Sequence, residues 1–328
     1  MQTTTQENNV PIVQSSARFQ MLHTEISRHI AGLKDTINCI SAALLCNGHV
    51  LLEGVPGIAK TTLLKVFAHA LNLKFKRIQF TPDLLPADLT GSLWYNQKIH
   101  EFEIRKGPIV DNNIILADEI NRAPAKVQSA LLEAMGEYQV TIGSTTYQLP
   151  QPFLVFATQN PIEQEGTYAL PEAQVDRFMF KLRLTYPNTT EEKEIITKHL
   201  VPTPVDTILS IHDIVSAQQL VQSIYVDQKI IDYIIALVFA TREPARAHVA
   251  DLTQYIQYGA SPRGTIALYK AAQAHAFLRA SSFVTPHDVK IMAPHVLAHR
   301  LGTTYKAHTD RFDTYAIIQK ILNAVPTP

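Results

Sequence analysis

The sequence predicts an α/β domain built on a mainly parallel sheet, followed by an all-helical second domain. Three observations carry that expectation. Short apolar, β-branched or aromatic runs (HVLLEG, KFKRIQF, NIILAD, FLVFATQ and FMFKLRL) recur from residue 49 to residue 184, several of them separated by helical segments. Such alternation marks crossover units, whose sheet must be covered on both faces. Beyond Pro187 strand-like runs stop and helical periodicity continues. Finally, GVPGIAKTT (54–62) joins the first of these strands to an amphipathic helix, TTLLKVFAHAL.

Taken in chain order, residues 1–14 are polar and read as a flexible tail. Apolar residues then follow helical spacing from Ser15 to Asn47, broken at Ala31-Gly32 and stopped by Gly48. Two stretches, 91–108 and 136–150, each read as two strands around a turn, so both are expected to be β-hairpins inserted into the α/β frame. The boundary falls near Pro187, giving an α/β unit over 15–187 and a helical unit over 188–328. The helical unit opens with an expected capping box, Thr189 to Glu192, and later shows Thr285-Pro286 with Asp288, a cap with proline at the first helical position.

Composition narrows the classes of function. The chain has 328 residues, 46% hydrophobic and 18% charged, with 29 basic against 29 acidic residues. Zero net charge calls for neither a nucleic-acid backbone nor an anionic membrane as partner. The apolar run Ile234 to Ala240 is far short of the roughly 20 residues that span a bilayer. No basic and apolar leader is visible at the start, so a cytoplasmic protein is expected. Cys39 and Cys46, about 10 Å apart on one helix face, are too distant for a disulfide and are expected to be buried free thiols. His295 and His299 stand at i, i+4, but no third ligand at metal-site spacing accompanies them.

The chemistry centres on the 54–62 loop. Main-chain N–H groups of a strand–loop–helix turn form an anion cradle with the helix N-terminus. Here the cradle would span Gly54, Val55, Pro56, Gly57, Ile58, Ala59, Lys60, Thr61 and Thr62. Lys60 would reach the β- and γ-phosphates of a nucleotide, and Thr61 would place its hydroxyl on Mg2+. Ala59 stands where the P-loop pattern has glycine. Gly57 is expected to take the positive-φ position, Pro56 to stiffen the turn, and Ala59 to sit at negative φ with its methyl turned outward. A positive φ at Ala59 would count against phosphate binding.

Asp118 and Glu119 end the apolar strand NIILAD, 58 residues after Lys60, where a Walker B pair belongs. Asp118 would hold Mg2+ through water and Glu119 would polarise the attacking water. The strand FLVFATQNP ends at Asn160, whose amide suits the lytic water or the γ-phosphate, with Thr158 and Gln159 as competitors. Arg177 closes a short helix before the last strand, placed to supply positive charge to a neighbouring subunit's phosphate. Arg263 opens a helix of the second domain, from which it could reach across the cleft to the nucleotide.

With these blocks in order, the chain resembles the MoxR-type ATPases of the AAA+ superfamily (helix-2-insert clade). GHVLLEGVPGIAKT, ADEINRAPAKVQSALLEAMGEYQVTIG, ATQNPIEQEGTYALPEAQVDRFMF and GASPRG carry the likeness, which runs from about residue 25 to 302. The resemblance implies a five-stranded parallel αβα core with two hairpin insertions, a helical lid, and rings, usually hexamers, with ATP and Mg2+ between subunits. It makes Lys60 and Thr61 Walker A, Asp118 and Glu119 Walker B, Asn160 sensor 1, Arg177 the arginine finger and Arg263 sensor 2. Gly32 matches the glycine whose neighbouring backbone contacts adenine. Family P-loops often carry alanine before the lysine. The implied role is chaperone-like remodelling or maturation of a client complex, with a von Willebrand factor A domain protein as partner. Competing readings are a magnesium-chelatase-like ATPase subunit, a nucleic-acid motor and a nucleotide switch that barely hydrolyses. The hairpin tips hold little Lys or Arg, which argues against the motor.

Overall fold

The computed structural model describes residues 9–55, 57–98, 100–160, 167–200 and 203–328. Helix α1 (Asn9–His29) begins the described chain and α2 (Lys34–Leu45) follows. The tail expected over 1–14 is therefore too long: residues 9–14 are already helical, and residues 1–8 lie outside the described residues. Burial explains the difference, because Ile12, Phe19, Leu22 and Ile26 form one apolar stripe and are all nearly inaccessible.

The central sheet comprises β1 (Val50–Gly54), β2 (Phe75–Gln79), β5 (Ile114–Asp118), β8 (Leu154–Gln159) and β9 (Phe180–Leu184). It runs in the order β2-β5-β8-β1-β9 and every pairing is parallel. Helix α3 (Lys60–Ala70) leaves β1 through the 54–62 loop. Successive side chains alternate between two cores: Leu154 and Phe156 join the cluster with α1 to α3, whereas Val155 and Ala157 join the one with α5 (Ala125–Glu137). With both faces buried, β1, β5 and β8 read as nearly unbroken apolar runs, whereas β2 at the sheet edge is mostly exposed. His49 pins this arrangement. Its Nε2–H donates to the Met135 carbonyl of α5 at 3.1 Å while its Nδ1 accepts from Val155 N–H at 3.0 Å. Burial lowers its pKa to about 4, so the ring is neutral in the folded chain.

After the short helix α4 (Pro86–Thr90), β3 (Gly91–Asn96) pairs with β4 (Glu101–Lys106), and β6 (Gln139–Ile142) pairs with β7 (Thr145–Gln148), both antiparallel. These are the two expected hairpins. They meet at Gly143, where φ is 61° and an added Cβ would lie 2.8 Å from Leu93 Cδ1.

The short helix α6 (Glu172–Val175) precedes β9, and the lid follows it. The lid contains α7 (Thr189–Leu200), α8 (Ile211–Gln222), α9 (Gln228–Arg242), α10 (Pro262–Leu278), α11 (Pro286–Leu297), α12 (Tyr305–Thr309) and α13 (Thr314–Ala324). It is not all-helical: β10 (Ile256–Tyr258) pairs antiparallel with β11 (Gly302–Thr303). Strands of three and two residues are too short to show a period, which is why the sequence concealed them. The first lid cap also differs from expectation. Asn188 Oδ1 accepts from the N–H groups of Thr190 and Glu191, and Glu191 Oε2 accepts from Asn188 N–H, so the box is Asn188–Glu191, one residue earlier. Asparagine is as good an N-cap as serine or threonine, so the first suitable residue after Pro187 took the role. At α11 the expected cap is present, Thr285 N–H donating to Asp288 Oδ2 at 2.7 Å.

Both cysteines are free. Among the described residues no group of three metal-ligating side chains converges, and no helix is long and apolar enough to cross a membrane.

Candidate active site

Parallel pairing sets the carboxyl ends of β1, β5 and β8 side by side, the place where open α/β sheets hold ligands. Leu52 pairs with Thr158 and Glu53 with Gln159, while Gln79 pairs with Asp118, so the loop after Gly54, the acids ending β5 and the end of β8 share one edge.

Gly54 cannot be replaced easily, since a Cβ there would lie 2.8 Å from both Leu184 O and Ile58 Cδ1. Gly57 has φ 86° as expected. Ala59 does not follow expectation: it is left-handed, φ 57° and ψ 22°, at the N-cap of α3. The reason lies in the cradle itself. Alternating right- and left-handed residues turn successive N–H groups into one concavity, so a reversal immediately before Lys60 is part of an anion nest. Positive φ here is thus a cost to stability and not an argument against phosphate. That cost is about 1–2 kcal/mol for an alanine. Ala59→Gly is therefore expected to stabilise the chain by about 1 kcal/mol, after the greater freedom of glycine in the unfolded state is deducted, with nucleotide affinity unchanged. Thermal denaturation checks it; a lowered midpoint would contradict the strain. Pro56 lies outside the described residues.

Lys60 Nζ donates to Gly54 O at 2.7 Å, spanning the loop. Burial lowers its pKa, while the charges of Asp118 and Glu119 act in the opposite direction. Lys60 follows the loop at the carboxyl end of β1 and the two acids close β5, so all three stand at the same edge of the sheet. Thr61 is half-buried and Thr62 exposed on the first turn of α3.

Asp118 and Glu119 are tied into a network that sequence reasoning missed. Thr158 Oγ1 donates to Asp118 Oδ1 at 2.6 Å and accepts from Glu119 N–H at 2.8 Å. Thr158 is 2% exposed and fully engaged, so it braces the acids and leaves Gln159 and Asn160, both half-buried, at the strand end. Arg77 Nη2 lies 2.7 Å from Asp118 Oδ2. Gln79 Nε2 donates to Glu119 Oε2 at 2.7 Å, and Arg122 Nε is 3.1 Å from the same oxygen. Glu119 itself is left-handed, φ 56°, which swings its side chain out of strand alternation. Gln79 and Arg77 lie on β2, about 40 residues upstream of the acids they hold. Only the strand order could have revealed them.

On the other side of the loop is a cleft of about 1530 Å3 lined by Ile30, Ala31, Gly32, Ile58, Ala59, Thr62, Leu184 and Tyr186 among others. Gly32 has φ 66°, and a Cβ there would come within 2.8 Å of Glu191 Oε1. Lid residues, Glu191 and His295 among them, line the same cleft.

Arg177 and Arg263 are elsewhere. Both line a second, smaller cleft of about 360 Å3, together with Met135, Asp176, Lys270 and Arg300, and neither lines the first. Arg177 is exposed, its Nη1 donating to Leu132 O at 2.5 Å. Arg263 is 61% exposed with its Nη1 3.8 Å from Asp176 Oδ2. Helix α10 thus presents Arg263 beside Arg177 on the second cleft, which none of Lys60, Asp118 and Glu119 lines.

The donor set at the first site suits Mg2+. Thr61 and Asp118 offer hydroxyl and carboxylate oxygens, the hard ligands that ion takes one or two at a time beside phosphate and water. An accommodating loop, a lysine at its end and two consecutive acids closing β5 are likewise what a nucleoside triphosphate requires.

Comparison with known proteins agrees with this geometry. The family described as "ATPase family associated with various cellular activities (AAA)" matches residues 49–180, and the AAA lid domain matches residues 250–321. The chain is 46% identical to chaperone MoxR1 of Mycobacterium tuberculosis over 305 residues, covering 93% of this chain and 81% of that one. It is 47% identical to YeaC of Bacillus subtilis, covering 92% of each. A crystal structure of a candidate ATPase from Cytophaga hutchinsonii superposes with a TM-score of 0.91 at 44% identity, covering 99% of this chain and 98% of the other. At this identity over most of both chains, the chain belongs to the MoxR family of AAA+ ATPases.

Proposed function

We propose that the protein hydrolyses ATP in a ring, a hexamer, and uses the cycle to remodel or mature a client protein complex together with a von Willebrand factor A domain partner. One observation carries the hydrolytic part. Lys60, Asp118 and Glu119 stand at the shared carboxyl edge of β1, β8 and β5, while Arg177 and Arg263 line a cleft of the same chain that none of the three lines. A site divided in this way is complete only when one copy brings its arginines to the loop of the next.

Roles follow from the geometry. Main-chain N–H groups between Val55 and Thr62, Pro56 having none, cradle the phosphates, and Lys60 gives up its bond to Gly54 O for the β- and γ-phosphate oxygens. Thr61 and Asp118 hold Mg2+, which when bound neutralises charge on the phosphates. Glu119 orients the attacking water once Gln79 releases its carboxylate, and Asn160 positions that water or the γ-phosphate. Main chain around Gly32 contacts adenine. Arg177 and Arg263 stabilise charge in the neighbouring site. For the client, β3–β4 offers one apolar face: Leu93 opposes Ile104 and Tyr95 opposes Phe102, all of them exposed. Free cysteines suit a reducing, cytoplasmic setting. Family membership favours this reading over the chelatase and nucleic-acid-motor ones.

A steady-state ATPase assay tests it, with Glu119→Gln as the control that retains binding. Phosphate release by the wild type and its loss in Glu119→Gln are expected. Equal rates in the two proteins would refute the role of Glu119.

A further inference from the structure

The segment that carries Arg177 is gripped from the lid by a single buried guanidinium. Arg300, just after α11, is 6% exposed. Its Nε donates to Asp176 Oδ1 at 2.8 Å, and its Nη2 donates to Asp176 O at 3.2 Å and to Phe178 O at 2.7 Å. Its Nη1 donates to Met179 O at 3.1 Å and to Val296 O. The carbonyls on both sides of Arg177 are thus held by one planar fork. His299 Nε2–H adds a bond to Phe178 O at 2.9 Å. Asp176 completes the joint, since its second oxygen accepts from Ser261 Oγ at 3.0 Å and faces Arg263. Even Gly264 fits this scheme, because a Cβ there would crowd Arg300 Cδ at 3.2 Å.

Packing alone does not require this. A buried ion pair contributes little net stability compared with apolar residues of similar volume, whereas its fixed geometry specifies one arrangement. Burial pushes the Arg300 pKa down and Asp176 counters it, so the guanidinium depends on the carboxylate beside Arg177. Arg177 itself makes one bond to α5, Nη1 to Leu132 O, and is otherwise carried by backbone that the lid holds.

We infer that Arg300 and Asp176 form a latch through which the lid sets the position of Arg177, so that a lid shifted by its own nucleotide moves the arginine offered to the next subunit. Both are positioning residues. The inference rests on the reading that Arg177 acts on a neighbour's nucleotide.

Asp176→Asn removes the charge and keeps the shape; Arg300→Lys keeps the charge and removes the fork. Each is expected to bind ATP within about threefold of wild type, with KM little changed and kcat lowered by about 10²-fold, the scale of a displacement near 1 Å. Each is then mixed with Glu119→Gln, which has intact arginines, and turnover should be partly restored. Arg177→Ala mixed with Glu119→Gln is the reference. If the reference mixture recovers and the latch variants keep wild-type kcat, or lose it without recovering on mixing, the latch is overturned and the trans role of Arg177 stands. If the reference itself fails to recover, the trans reading falls and the latch falls with it. Should one variant lose its thermal transition, the other decides the matter by the same criteria.

Discussion

Lys60→Ala abolishes measurable nucleotide binding. The ammonium is the only side-chain cation that the loop itself carries, and it already spans the mouth of the cradle to Gly54 O at 2.7 Å. Partly desolvated, it gains more from an anionic partner than from a neutral carbonyl, which is why phosphate oxygens displace that bond. A hydrogen bond to a charged group contributes about 1.5–3 kcal/mol, and two phosphates share this donor, so the loss is at least about 10²-fold in affinity. Titration of the variant with a fluorescent adenine nucleotide reads it out. Retention of affinity within about tenfold would remove the loop from the account.

Arg177→Ala separates binding from turnover. Its side chain lines the second cleft, so the variant's own P-loop is untouched and nucleotide affinity stays at the wild-type value. Turnover falls by about 10³-fold or more, the scale of a trans arginine elsewhere. The competing expectation is a structural arginine, tied to the Leu132 carbonyl, whose loss would loosen the end of α5. That alternative predicts a lower thermal midpoint and little change in kcat, so parallel denaturation and kinetics distinguish the two.

Much of this was legible in the sequence because it is local. Unbroken apolar runs gave strands buried on both faces, the two turn-centred stretches gave hairpins, and the spacing of Lys60 from Asp118 gave the pair of phosphate and metal motifs. What escaped depended on tertiary context. The intrinsic preference of Ala59 is right-handed, but the nest overrode it at the position where a glycine would carry no strain. Gln79 and Arg77 are ordinary residues on an exposed edge strand until β2 pairs with β5 and brings them to Glu119 and Asp118. Arg263 reads as a nucleotide sensor, but which nucleotide it serves depends on how the lid packs, and no pattern within α10 encodes that. Arg300 gave no signal at all, since the carboxylate and carbonyls of residues 176–179 that it holds lie more than 120 residues away.

The proposed hydrolysis requires that the loop from Val55 to Thr62 enclose the phosphates of an adenine nucleotide while Asp118 and Glu119 serve its metal and water. Isothermal titration calorimetry of the full chain with ATP and Mg2+, using Glu119→Gln to prevent turnover, addresses it directly. A saturable heat with one nucleotide per chain, lost in Lys60→Ala, is expected. A folded protein that gives no heat with either ATP or ADP in the presence of Mg2+ would contradict it.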